Sequence, residues 1–152
     1  MFYMRKNLAL IIMAALFSNI TYAQTNYRGT LTFLAKGFNN DNGKAVIFLY
    51  REGDKLPKHP YATSRSGISN EQAVIVMPDI PFGDYAAILL HDENNNGEID
   101  HLFGLPSEQL GYTNGWKLDF FSGMPSFSKL KFKFTPGLET QSINIIYKKA
   151  KN

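Results

Sequence analysis

The chain has 152 residues, 44% of them apolar, with 16 Lys+Arg against 13 Asp+Glu and no cysteine. The absence of cysteine excludes disulfides, a thiol nucleophile and the lipidated cysteine of a bacterial lipoprotein. A chain of this size buries about two thirds of its unfolded surface, so it can fold without covalent staples.

The first residues read Met-Phe-Tyr-Met-Arg5-Lys6, then an uncharged run from Leu8 to Phe17, then a polar stretch ending Thr21-Tyr22-Ala23. A charged start, a short apolar middle and a small-residue end form a signal peptide over 1–23. The apolar run is shorter than the roughly 20 residues a bilayer span needs. Cleavage after Ala23 leaves a single domain, 24–152, and the reading holds equally if Met4 is the start. Loss of Arg5 and Lys6 leaves 14 basic against 13 acidic residues. The basic pI is then partly the leader's, and nucleic acid is not implied. The expected location is the periplasm or the exterior of a bacterium, with no transmembrane segment in the mature chain.

Apolar alternation and β-branched runs dominate the rest, and no long helical period appears. Thr30 to Lys36 alternates, with Leu31, Phe33 and Ala35 on one side. Ala45 to Tyr50 is a continuous apolar run, as expected of a strand covered on both faces. Asn39-Asn40-Asp41-Asn42-Gly43 between them is a turn. Residues 51–72 read as a polar loop or irregular edge. Ala73 to Met77 is a strand, Pro78 to Gly83 a turn, and Tyr85 to Leu90 the next strand. Tyr85, just after Pro81-Phe82-Gly83-Asp84, sits where sandwiches place a corner tyrosine. Residues 91–125 form a long irregular excursion, which in a compact domain is functional or held by something. Ser128 to Phe134 alternates, with Leu130, Phe132 and Phe134 opposite Lys129, Lys131 and Lys133. The lysine face reads as a solvated outer face. After a turn at Pro136-Gly137, the last strand carries Ile143, Ile145 and Tyr147 on one face. The tail Lys148-Lys149-Ala150-Lys151 is a solvated basic end. The expected fold is all-β: a small antiparallel Greek-key sandwich, immunoglobulin- or prealbumin-like, of about seven strands.

One segment carries chemistry: His91-Asp92-Glu93-Asn94-Asn95-Asn96-Gly97-Glu98-Ile99-Asp100. With Asp92 as position 1 of a calcium loop, oxygen-bearing side chains fall at positions 1, 3, 5 and 9, namely Asp92, Asn94, Asn96 and Asp100. Gly97 stands at position 6, where the backbone turns sharply, and Glu98 at position 7 offers its carbonyl. Ile99 would anchor the loop in the core. Ca²⁺ takes six to eight hard oxygens, and alternate residues of a tightly wound loop point at one centre. Mg²⁺ fits less well because it keeps its waters. The match departs from an EF-hand. Position 12 is Phe103 rather than a bidentate Glu, and the loop follows a strand rather than a helix. A further carboxylate must come from elsewhere: Glu108 is the first candidate and Glu93 the second. The competing reading is an asparagine-rich turn held by its own hydrogen bonds.

The motifs Pro81-Phe82-Gly83-Asp84-Tyr85-Ala86, His91-Asp92-Glu93-Asn94 with Asn96-Gly97, Phe103-Gly104-Leu105-Pro106-Ser107-Glu108, Gly111-Tyr112-Thr113-Asn114 and Pro125-Ser126-Phe127 occur in order. On these the chain resembles the bacterial proteins grouped as domain of unknown function 2141. The resemblance implies an exported, single-domain β protein and no established activity. It also implies the loop pattern Asp-Glu-Asn-x-Asn-Gly-x-x-Asp, kept here, and an aromatic followed by Ser/Thr-Asn, here Tyr112, Thr113 and Asn114.

No Gly-x-Ser-x-Gly elbow, His-Glu-x-x-His helix or phosphate-cradling glycine loop is present, so the chain does not read as an enzyme. His91 and His101 bracket the loop as a weaker zinc alternative with Asp92 or Asp100. Tyr112, Trp116, Phe120 and Phe121, with Asn114 and Lys117, form either a sugar- or peptide-binding platform or a fastening for the long loop. The burial preference of large apolar groups favours the fastening. The expected function is therefore an exported, non-enzymatic sandwich with a structural Ca²⁺ bound by Asp92, Asn94, Asn96, Glu98, Asp100 and Glu108. The alternatives are a carbohydrate- or peptide-binding module built on 112–121, and a structural or accessory protein of the envelope, whose partner would be an envelope protein.

Overall fold

The computed structural model describes residues 27–102, 105–118 and 122–145. The leader, Phe103, Phe120, Phe121, Tyr147 and the basic tail lie outside them. The elements are β1 (Arg28–Lys36), β2 (Lys44–Tyr50), β3 (Ala62–Gly67), β4 (Gln72–Pro81), β5 (Gly83–Asp92), β6 (His101–Leu102), β7 (Leu105–Pro106), β8 (Gln109–Tyr112), a 3₁₀ turn Thr113–Gly115, a one-turn helix α1 (Phe127–Leu130), β9 (Phe132–Phe134) and β10 (Thr140–Asn144).

Two sheets pack face to face. One has the order β10-β1-β4, the other β3-β2-β5-β8, with β9 paired to the first residues of β5. Pairing is antiparallel except at one edge, where β10 runs parallel to β1 with Thr32 opposite Thr140. The small hairpin of β6 and β7 stands apart.

The alternation read in β1 and β4 builds the space between the sheets. Leu31, Phe33 and Ala35 point inward from β1, and Ala73, Ile75 and Met77 from β4. They meet Ala45, Ile47 and Leu49 of β2 and Tyr85, Ala87 and Leu89 of β5. The other faces of β2 and β5 are equally apolar. Val46, Phe48, Tyr50, Ala86, Ile88 and Leu90 form a second core with Leu110, Tyr112 and Leu130. The excursion after β5 thus folds back over the outer face of its own sheet, which is why β2 reads as one unbroken apolar run.

Both sides of the sandwich are laced. On one, Ser64 of β3 donates its hydroxyl to the carbonyl of Val76 in β4 (3.0 Å). On the other, Gly111 of β8 bridges to Ile145. A Cβ on Gly111 would collide with the carbonyl oxygen of Asn144, so only glycine permits that approach. Where the chain crosses between sheets, the Tyr85 hydroxyl donates to the carbonyl of Pro81 (2.7 Å). This is the backbone bond expected of a corner tyrosine.

Three local expectations change. The polar stretch 51–72 contains β3, an edge strand with no fully buried residue, fixed by its pairing with β2. The strand before Gly83 runs on through Pro81 rather than turning at Pro78. Ser128 to Phe134 is not one strand: α1 occupies its first part, and Leu130 enters the second core while Phe134 enters the first.

Burial raises the hydroxyl pKa of Tyr50 and pushes that of Tyr112 up to about 12. A folded pKa above the unfolded value gives stability that is complete below about pH 10 and lost as pH rises through the folded value. Urea midpoints should therefore fall between about pH 10 and about pH 12. Tyr112→Phe should flatten that decline. An unchanged alkaline profile in the variant would contradict the assignment.

Candidate metal centre

Asp92 ends β5, opposite Lys44, and is wholly buried. Successive strand residues point to opposite faces, so Asp92 shares the outer face with Leu90 while His91 turns inward. The sequence places a strand end, three asparagines and a glycine here, and the chain winds into a tight loop with Asn95 at φ 61° and Gly97 at φ 77°. Asn tolerates this left-handed conformation and Gly adopts it freely.

The buried carboxylate is the loop's hub. One oxygen accepts the backbone N–H of Asn96 (3.1 Å), the other that of Gly97 (2.9 Å). The amide oxygen of Asn94 also accepts the Asn96 N–H (3.0 Å), and the amide oxygen of Asn96 accepts the N–H of Glu98 (2.8 Å). The amide nitrogens of Asn94 (2.6 Å) and Asn96 (3.1 and 3.2 Å) donate to Asp100. Ile99 packs against the second core, as its place in the spacing anticipates.

Glu108 joins this group from beyond the β6–β7 hairpin. The Ser107 N–H donates to the Asp100 carbonyl (2.9 Å), and the Asp100 N–H donates to the Glu108 carboxylate (3.1 Å). Burial raises the pKa of Glu108, partly opposed by the Asp100 N–H, and the negative charges of Asp100 and Asp92 raise it further. The structure thus brings together Asp92, Asn94, Asn96, Asp100 and Glu108. Glu98 takes part through its backbone, and its side chain is exposed.

Glu93, the second candidate, points elsewhere. It accepts the amide of Asn40 (2.9 Å) and lies 3.7 Å from Nδ1 of His91. His91 donates from Nε2 to the carbonyl of Asn42 (2.9 Å) and packs edge-on against Phe38. His101 is exposed. The two histidines therefore do not converge on the loop. Among the described residues, no three His, Cys, Asp or Glu side chains gather closely enough to hold a metal by themselves. Any ion here needs the asparagine amides and backbone as well as the carboxylates.

A family model described as "Uncharacterized protein conserved in bacteria (DUF2141)" matches residues 35–142. The chain belongs to that family. The matched span of this DUF2141 domain runs from the end of β1 into β10 and includes the whole loop and Glu108. No curated protein and no solved structure matches the chain significantly.

In this DUF2141 domain the described part of the aromatic segment packs. Tyr112 is buried, and Trp116 meets it edge to face at 4.7 Å against the second core. Thr113 is a residue whose task the sequence did not reveal. Its buried hydroxyl accepts the Ala87 N–H (3.0 Å) and donates to the Leu130 carbonyl (2.6 Å), tying β5 to α1. Asp41 is another: its carboxylate accepts the N–H groups of Asn70 (2.9 Å) and Glu71 (2.8 Å) and so joins the two neighbouring turns. The asparagine-rich run around it gave only the turn.

Removing the Asp92 carboxylate leaves the Gly97 N–H without its acceptor at a part-buried position and leaves the Asn96 N–H only its bond to Asn94. Asp92→Ala should cost about 1–3 kcal/mol in urea unfolding even with chelator present. Glu98→Ala, on the exposed side of the same loop, should stay within about 0.5 kcal/mol. Equal costs would contradict the hub assignment.

Proposed function

We propose that this is an exported, non-enzymatic sandwich of the bacterial envelope or exterior, in which one Ca²⁺ locks the loop from Asp92 to Asp100. The carrying observation is the convergence of Asp92, Asn94, Asn96, Asp100 and Glu108 on one tightly wound loop, with Gly97 at its turn and Ile99 pinned to the core. The negative charges of Asp100 and Asp92 act unfavourably on the Glu108 carboxylate, and a divalent ion would offset that effect. Binding would turn the amide oxygens of Asn94 and Asn96 from backbone donors to the ion and release their nitrogens from Asp100. Oxygen donors of mixed charge in a flexible loop suit Ca²⁺ better than Mg²⁺.

Export rests on the charged, apolar and small-residue pattern of 1–23. Among the described residues, no helix is long and apolar enough to cross a membrane. A structural or accessory role fits Tyr112 and Trp116, which are spent on packing rather than displayed as a binding platform. It also fits a sequence without catalytic signatures.

The test is thermal unfolding of Gln24 to Asn152 after chelation, as Ca²⁺ is added with Mg²⁺ as control. Ligand at 100 times its Kd adds about 2.7 kcal/mol. For this length the midpoint should rise on the order of ten degrees. Asp100→Asn and Glu108→Gln should weaken the response, and Lys131→Ala, an exposed partner of Asp84, should not. No shift up to millimolar Ca²⁺ would leave the loop a hydrogen-bonded turn.

A further inference from the structure

Three asparagines in the chain are followed by glycine: Asn42, Asn96 and Asn114. In such a pair the backbone nitrogen of glycine can reach the side-chain carbonyl carbon of asparagine, because no Cβ stands in the way. The reaction is ordinarily slow. An amide nitrogen is a poor nucleophile until it loses its proton, and an amide is a poor leaving group.

At Asn96 each group that must change has a partner. The nucleophile is the Gly97 nitrogen, and its N–H donates to the buried carboxylate of Asp92 at 2.9 Å. This is the arrangement of a base beside a nucleophile. Negative charge develops on Oδ1 of Asn96, which already accepts the Glu98 N–H at 2.8 Å. A fixed donor at that atom stabilises the tetrahedral intermediate. The leaving nitrogen, Nδ2, donates to Asp100 at 3.1 and 3.2 Å; this orients the amide, and the proton for departure comes from elsewhere. These partners also fix the amide's orientation, since a carboxylate only accepts and a backbone N–H only donates. Asn96 is exposed, so water can reach the product.

We infer that Asn96 is a self-modification site, converted by its own loop to aspartate or isoaspartate through a succinimide. The Gly97 nitrogen bonds to Cγ of Asn96, and Asp92 takes its proton. Water carries that proton to Nδ2, the Cγ–Nδ2 bond breaks and ammonia leaves. Water then opens the five-membered ring at either carbonyl, its OH going to carbon and its proton to nitrogen. Either product adds a carboxylate to a loop that already holds Asp92, Asp100 and Glu108.

The other two pairs are internal controls. The Asn114 amide nitrogen donates to the backbone carbonyl of Lys129 (3.2 Å), and Gly43 is wedged against the backbone of Asp92. Among the described residues, neither Gly43 nor Gly115 gives its N–H to a carboxylate.

The experiment is peptide mapping of the folded, chelator-treated chain after warm incubation near neutral pH. It reads the amide-to-acid mass change and isoaspartate at each of the three sites. Asn96 should convert at least about tenfold faster than Asn42 and Asn114, a threshold set below the roughly 10²–10⁴-fold a positioned base contributes. In urea the three rates should draw together. Asp92→Asn should bring Asn96 down to the rate of the other two. Conversion of Asn96 no faster than its neighbours, or faster in urea than in the folded chain, would overturn the inference. The comparison of folded with unfolded chain stands even if the Asp92 variant does not fold.

Discussion

A β-strand has two faces, and in β5 both are apolar: every residue from Tyr85 to Asp92 is buried. A single opposing sheet can cover only one of them. The sheet of β1, β4 and β10 covers the face with Tyr85, Ala87 and Leu89. Something else must cover Ala86, Ile88 and Leu90, because each large apolar side chain left in water forgoes about 1.5–3 kcal/mol. The chain answers with its own excursion and the short helix α1, which together lay Leu110, Tyr112 and Leu130 on that face and pack Ile99, Trp116, Leu118 and Phe127 beside them. The placement of the acidic loop, the turn at Thr113 and the short helix all follow from this requirement.

Thr113 illustrates how the cover is attached. A loop crossing a buried sheet face must satisfy its own polar groups there. The Thr113 hydroxyl bonds to the backbone of Ala87 on one side and of Leu130 on the other. Asn114 takes a left-handed φ of 58° and gives its amide to Lys129. The Gly-Tyr-Thr-Asn motif is therefore a fastening. Glycine admits the end of β10, tyrosine fills the second core, and threonine and asparagine hold the returning chain.

The large features were legible in the sequence because each has a simple physical cause. The unbroken run in β2 announced burial on both faces, and the alternation in β1 and β4 announced burial on one. The spacing of Asp92, Asn94, Asn96, Gly97 and Asp100 announced a tightly wound loop. What was not legible depended on partners remote in sequence. β3, reading Ala-Thr-Ser-Arg-Ser-Gly, has no apolar pattern and exists because β2 has a free edge. Leu130, Phe132 and Phe134 keep a spacing of two and read as one strand face, yet a helical turn sends Leu130 to a different core. The sequence put Glu108 before Glu93 as the added carboxylate but gave neither one's partners. Only the return of the chain after β7 decides that Glu108 faces Asp100 while Glu93 turns toward Asn40.

The position of Asp92 joins the loop's chemistry to the fold's stability. A buried carboxylate is costly unless charge or hydrogen bonds compensate it. Here it meets the N–H groups of Asn96 and Gly97, which exist at that point only because the loop is wound. Unwinding the loop would strand Asp92 at the end of the strand that carries both cores. Straightening β5 to relieve it would disturb the contact with Gly43, where a Cβ would collide with the Asp92 carbonyl. The loop is thus part of the core's boundary, and its winding bears directly on a strand buried on both faces.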